Sequence, residues 1–354
     1  MFTRKELESF EPYTPGEQPL PGSSVTKLNT NENPYPPSPR VWEAIESIRS
    51  NGLLRRYPHY SSIEVREVLS KIHGIGIDCI LVTNGSDEAL RLAFLALLPT
   101  GARVVIPDPT YSYYPVLVEQ AMCGASLIKV PLLPNLELDT EALQNSKANL
   151  LAIANPNAPT GILLNRDKVL GLVQNFAGVV LVDEAYIDFS PIGSSVAREV
   201  TLFPNLLVSR TLSKSYGLAG LRVGYLLGNP SLIQAISKLK DSYNLGMIEQ
   251  AMTKAALEDQ LYLNSCVEKI IFERQELAVK LKKKGFDVTP SAANFLFVKP
   301  PKGVSPKVLY EDLKKNNVLV RYFSKGISQD YLRVSVGSSE ENETFLGVLD
   351  QLLG

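Results

Sequence analysis

The sequence predicts an α/β fold: a large unit with a mostly parallel seven-stranded sheet flanked by helices, and a smaller α+β unit near the C-terminal end. Three observations carry this. Between residues 79 and 228, seven short apolar runs alternate with segments of helical period. One long amphipathic stretch follows at 261–284, and the tail then returns to alternating strand and helix patterns. Short runs buried on both faces and separated by helices mark a parallel sheet in an α/β layer.

The elements follow in order. The first 40 residues, with PYTPGEQPLPGSS and NTNENPYPPSPR, read as an extended arm with turns. An amphipathic helix is expected from 41 to about 50. Strands are expected at 80–83, 103–106, 126–130, 150–154, 179–182, 206–209 and 222–227, with helices at 87–98, 113–122, 139–145 and 166–175. Helices dominate from 230 to about 284, and over 261–284 apolar residues recur near every third or fourth position, as in one long connecting helix. The tail carries expected strands at 295–298, 318–322 and 332–336 and helices at 306–316 and 340–353. This divides the chain into a large domain over 30–260 and a smaller one made of 1–29 and 261–354. A length of 354 residues fits two domains at roughly 150 residues each.

Composition narrows the function. Lys+Arg number 36 against Asp+Glu 37, a formal charge of −1 that lacks the basic surplus of a nucleic-acid binder. The longest apolar stretches are too short to span a bilayer. The first residues, MFTRKELESFEPY, have no apolar signal core, so a cytoplasmic protein without membrane contact is expected. Cys79, Cys123 and Cys266 lie far apart, which disfavours a disulfide framework or a zinc site. His59 and His73 are the two histidines, so chemistry built on several histidines is nearly excluded.

In open parallel sheets ligands bind beyond the carboxyl ends of the strands, so the residues after each run matter most. After 80–83 stand Asn84, Gly85, Ser86 and Asp87, then a helix; this reads as an anion cradle or as an ordinary N-cap. After 179–182 stands Asp183, costly to ionise when buried unless it pairs with an Arg or Lys or holds a bound cation. Its neighbour Glu184 should face the other side of the strand. After 206–209 comes RTLSKSYGLAGLR, where Lys214 is a nucleophile with a burial-lowered pKa or a snorkelling surface lysine. Together an anion cradle, a carboxylate for a heterocyclic cation and a nucleophilic lysine are what pyridoxal 5′-phosphate requires.

The segments NGSDEAL, PDPTYSYYP, NPNAPTG, DEAYIDF and RTLSKSYGLAGLRVGY, in that order, resemble fold-type I pyridoxal-phosphate-dependent aminotransferases over essentially the whole chain. With PYTPG, LNTNENPYPPSP, RRYPHY, NFLFVKP and LRVSVG, the set most resembles the histidinol-phosphate aminotransferase family. The resemblance implies that Lys214 is the Schiff-base lysine and proton carrier, Asp183 the partner of the pyridinium nitrogen, and Tyr186 a donor to the 3′-oxygen. It implies that Tyr111 stacks on the ring, and that Gly85, Ser86, Asp87, Thr211, Ser213 and Arg222 cup the phosphate. Tyr57 is expected to reach the neighbouring subunit's cofactor, which implies a homodimer with shared active sites. Arg333 resembles the clamp for the substrate α-carboxylate, and Arg321 a partner for a substrate phosphate, with Tyr13, Tyr243 and Asn244 as companions. One position departs from the family's NPNNPTG: Ala158 stands where an asparagine would bond the 3′-oxygen. Either Asn155 or Asn157 stands in for it, or Tyr186 acts without it.

The implied activity is transamination between L-histidinol phosphate and 2-oxoglutarate. Two rivals share the motif set: an aminotransferase for aromatic or other amino acids, and a phosphothreonine decarboxylase. A regulatory module of the same fold would carry a basic segment ahead of it, where this chain has a Pro/Gly-rich arm.

Overall fold

The computed structural model describes residues 7–8, 10–20 and 22–354. A two-residue strand, β1 (Thr26–Lys27), precedes two amphipathic helices, α1 (Arg40–Ser50) and α2 (Ile63–His73). Helix α2 adds to the expected elements; its buried stripe is Val65, Leu69 and His73, a spacing of one helical turn.

The central run of the chain then reads β2 (Ile80–Thr83), α3 (Gly85–Leu97), β3 (Arg103–Asp108), α4 (Tyr113–Gln120), β4 (Ser126–Pro131) and α5 (Thr140–Gln144). It continues through β5 (Leu150–Ala154), α6 (Arg166–Asn175), β6 (Val179–Asp183), β7 (Leu206–Thr211) and β8 (Gly224–Gly228). These strands form one sheet in the order β2-β8-β7-β6-β5-β3-β4, parallel except for β8, which runs against both β2 and β7. All residues of β5, β7 and β8 are buried, as a sheet covered on both faces demands. One face packs on α1, α2 and α6, the other on α3 and α4. The strand order reverses between β3 and β5, the place where a ligand crevice opens in such sheets.

Helices α7 (Pro230–Ser237), α8 (Met247–Glu258) and α9 (Gln260–Lys283) follow; α9 spans 24 residues, close to the expected single long helix. Beyond it lie β9 (Asp287–Val288), β10 (Phe295–Lys299), α10 (Pro306–Lys315), β11 (Val318–Leu319), β12 (Arg321–Tyr322), β13 (Leu332–Ser335) and α11 (Ser339–Leu353). The single strand expected at 318–322 is in fact two. β11 pairs in parallel with β1 of the arm, whereas β12 joins the antiparallel sheet β12-β13-β10-β9. Leu28, just after β1, is buried in the same apolar cluster as Leu277, Val318, Val334 and Phe345. Burial of arm residues thus splits a strand that its own sequence would leave continuous. Among the described residues no helix is long and apolar enough to cross a membrane.

Candidate active site

A cavity opens beyond the carboxyl ends of β5, β6 and β7, where Ala154, Asp183 and Thr211 line it. Asp183 ends β6 and is 3% exposed. Its Oδ2 accepts a bond from the Tyr114 hydroxyl at 3.3 Å, while its Oδ1 is buried with no partner. Burial, and then the nearby Asp87 carboxylate, push its pKa up to about 7. Glu184 faces the opposite side, as strand alternation requires. Its oxygens accept from Ser195 Oγ at 2.6 Å, the Val196 amide at 2.7 Å and Arg210 at 3.0 Å. Arg210 also pairs with Asp188.

Lys214 follows β7 and lines the same cavity. Its Nζ donates to the Thr30 carbonyl at 3.0 Å and lies 5.8 Å from the Tyr186 ring centre. Burial, then the Arg333 cation, bring its amine down to about 8, which leaves an appreciable fraction neutral near neutral pH. The Tyr186 hydroxyl accepts from Asn31 Nδ2 at 3.0 Å, and its ring meets Phe295 edge-on. Tyr111 donates to Asp87 at 3.1 Å and packs edge-on against Tyr13 and Tyr114.

The loop between β2 and α3 is shaped by two glycines. Gly85 has φ +76°, and a Cβ there would sit 2.9 Å from Arg222 Nη2. A Cβ on Gly224 would meet the Ser86 amide nitrogen at 2.4 Å, so β8 approaches the start of α3 through glycine alone. Asn84, at the cap position of α3, makes no side-chain capping bond, and its own N–H is met by the Glu88 carboxylate, so neither Ser86 nor Asp87 is the cap. Arg222 reaches into this corner, donating to Asp87 at 3.1 Å and to Ser213 Oγ at 3.3 Å; Thr211 Oγ1 donates to Ser213 Oγ at 3.0 Å. A guanidinium, two hydroxyls and a helix start converge here, the donor set an anion needs.

Across the cavity, Arg333 on β13 donates to the Asn29 carbonyl at 3.0 Å, and its Nε is buried without a partner. Burial lowers its pKa, with Arg321 adding like-charge repulsion. Arg321 on β12 lines the cavity but donates to the Thr14 and Pro15 carbonyls at 3.4 Å. Tyr13 completes that wall against Tyr111 and Tyr113.

Four expected residues lie elsewhere in this chain. Tyr57 is 79% exposed and stacks on Tyr243 at 4.6 Å. Tyr243 and Asn244 line a separate surface depression, where Asn244 bonds the Val82 carbonyl and Glu88. Asn157 is fully buried, bonding Thr110, Thr160 and the Pro109 carbonyl; it does not line the cavity, whereas Ala158 does. Asn155 is tied to Leu164 in both directions. Asn29, Thr30, Asn31 and Tyr114 also belong to this site and were not expected from the sequence; their signal lies in the segments NTNEN and SYYP.

Residues 23–349 match the family "Aminotransferase class I and II". The chain belongs to that family. It is 41% identical over 352 residues, 99% of each chain, to histidinol-phosphate aminotransferase 1 of Trichormus variabilis. A second relative, histidinol-phosphate aminotransferase 1 of Oceanobacillus iheyensis, is 40% identical over 99% of this chain and 98% of its own. Among solved structures, histidinol-phosphate aminotransferase from Sinorhizobium meliloti in complex with pyridoxal-5′-phosphate matches with a TM-score of 0.84 and 26% identity. That match covers 92% of this chain and 90% of the other. The fold is thus that of the fold-type I aminotransferases, whose cofactor is pyridoxal 5′-phosphate. The cavity fits that group: an orphaned buried carboxylate oxygen, a lysine with a depressed pKa and an anion corner stand together.

Proposed function

We propose that the chain catalyses pyridoxal-phosphate-dependent transamination between L-histidinol phosphate and 2-oxoglutarate, running in biosynthesis toward histidinol phosphate and away from L-glutamate. The reaction class rests on one observation: Lys214, Asp183 with a buried, unpartnered Oδ1 and Arg333 with a buried, unpartnered Nε line one cavity. The substrate rests on identity of about 40% over nearly full length to enzymes named for it.

When bound, the cofactor supplies an electron-withdrawing ring and an aldehyde carbon for a lysine amine. Asp183 holds a proton at the ring-nitrogen position. Lys214 Nζ takes the substrate α-proton and returns it, acting as base and then acid. With the cofactor bound, Tyr186 would donate to the ring oxygen, Tyr111 would pack against the ring, and Arg222, Thr211, Ser213 and the Gly85–Asp87 turn would hold the phosphate. Arg333 clamps the α-carboxylate of L-glutamate and 2-oxoglutarate, the carboxylate-bearing partners of the reaction, in a bidentate fork. Arg321 and Tyr13 receive the phosphate of L-histidinol phosphate, with Arg321 exchanging its arm carbonyls for that anion. We keep Asn157 as a support of the loop that carries Ala158.

We further propose a cytoplasmic homodimer, with the domain division at 30–260 against 1–29 plus 261–354. Trp42, Leu54, Tyr57 and Tyr60 are large and exposed within one short stretch, a pattern that favours burial by a second copy. Tyr57, Tyr243 and Asn244 then serve the partner's cavity. Mixing two impaired variants, Lys214→Ala and Tyr57→Ala, should restore activity through hybrid dimers.

The deciding assay follows 2-oxoglutarate-dependent loss of L-histidinol phosphate, and repeats it with Arg321→Ala. That variant should lose phosphorylated substrate far more than an aromatic amino acid. Equal loss on both would favour the aromatic rival, and carbon dioxide release from phosphothreonine would favour the decarboxylase.

A further inference from the structure

Three consecutive residues of the arm each touch a different cavity group. The Asn29 carbonyl accepts from Arg333, the Thr30 carbonyl accepts from Lys214, and the Asn31 amide donates to Tyr186, each at 3.0 Å. Asn31 is the most constrained of the three. It is 1% exposed, has φ +56°, and is held from the small sheet. Its backbone N–H donates to Ser335 Oγ at 2.8 Å, its Oδ1 accepts from the same hydroxyl at 3.0 Å, and its carbonyl accepts from Asn294 at 2.9 Å. With Oδ1 bound to Ser335, the NH₂ end is the one that faces Tyr186. An NH₂ group only donates, so the Tyr186 oxygen is its acceptor and the Tyr186 proton is left for another partner.

We propose that Asn31 is a positioning residue that turns the Tyr186 O–H into the cavity and strengthens it as a donor to the cofactor. The inference rests on the proposed role of Tyr186. It also accounts for position 158. Ala158 packs in the same apolar cluster as Tyr186 and offers the cavity only a methyl group. The Asn155 and Asn157 amides are spent on the Leu164 carbonyl, the Thr160 hydroxyl and the Pro109 carbonyl. Hydrogen bonds in series polarise one another, so a donor onto the Tyr186 oxygen makes its own O–H a stronger donor. A stronger O–H at the ring oxygen disperses negative charge there and loosens the proton that titrates with the cofactor's visible band.

The test uses the cofactor-loaded protein, with the pH midpoint of the visible band and the dissociation constant for pyridoxal phosphate as readouts. Asn31→Gly keeps the left-handed backbone without strain and removes the amide; Asn31→Ala is its companion. Both should raise the midpoint by about half a unit or more, as expected for one neutral hydrogen bond, and weaken cofactor binding several-fold. Tyr186→Phe should raise it further, and adding Asn31→Gly to that variant should change nothing. An Asn31→Gly midpoint within about 0.1 unit of the unsubstituted protein overturns the proposal. So does an undiminished shift on top of Tyr186→Phe, which would mean Asn31 acts by another route. If the unsubstituted protein shows no visible band with added cofactor, the parent reading falls and this inference with it.

Discussion

Asp183 and Glu184 are neighbours in the chain, both buried, and burial raises the pKa of each. Their surroundings differ completely. Glu184 looks behind the sheet into a closed set of donors, Arg210, Ser195 and the Val196 amide, and Arg210 is shared with Asp188. Ser215, next to Lys214, donates to the same Asp188, so the rear cluster braces both strand ends that carry the cavity groups. His73 belongs to this rear region too, bonded to Tyr225 at 3.0 Å and pushed down to about 3 by burial and then Arg210. In front, Asp183 has an open oxygen, Arg333 an open Nε, and Lys214 donates to one carbonyl. Buried polar groups are normally satisfied. Glu184 has all its oxygens met by donors, whereas Asp183 and Arg333 each keep one buried atom unpartnered in the residues that line the front cavity, the pattern of a site built for a ligand.

The sharpest way to break this contrast is at the lysine. Lys214→Ala should cut turnover by roughly 10²–10⁴-fold through loss of proton transfer alone, and abolish the visible band, with the melting temperature of the cofactor-free protein nearly unchanged. The rear region should behave in reverse. Arg210→Met strands Glu184 and Asp188 and should cost about 3–5 kcal/mol in denaturant unfolding. A loss no larger than that of Asp183→Asn would erase the distinction.

Titration supplies a subtler test, because the two regions pull in opposite directions over one pH window. The Asp183 carboxyl is near 7 when folded against an ordinary 3.8. Between those values the folded protein keeps a proton the unfolded chain has lost, so this group's contribution to stability falls as pH rises. His73 is near 3 when folded against 6.5. There the unfolded chain takes up a proton the folded one refuses, so stability falls as pH drops from about 6.5. Melting temperatures of the cofactor-free protein from about pH 4 to 6.5 should rise more steeply with pH for Asp183→Asn and less steeply for His73→Gln. Matching slopes would refute the assignment. The smallest effect is expected at Gly85→Ala, where a side chain at positive φ costs about 1–2 kcal/mol. Because its Cβ would press on Arg222, cofactor affinity should drop as well.

Most of the sheet was legible because each central strand is a short apolar run bounded by polar turns, a pattern set by local periodicity. The strand ends were legible for the same reason, and with them Asp183 and Lys214; Tyr186, Thr211 and Ser213 came from the family resemblance. The strand at 318–322 was misread because its division depends on pairing with residues 26–27, nearly 300 positions away. Asn31 and Tyr114 escaped notice because neither sits at the end of a core strand, and their partners Tyr186 and Asp183 lie 155 and 69 residues distant.

The chain's own periodicity thus determined the α/β class, the strand ends and the chemical types gathered there, since hydrophobic alternation and glycine placement act over a few residues. Which polar atoms stay open, which asparagine faces Tyr186 and where Arg210 is neutralised were decided by tertiary structure alone. Hydrogen-bond satisfaction is a property of groups brought together from distant segments, and no local pattern encodes it.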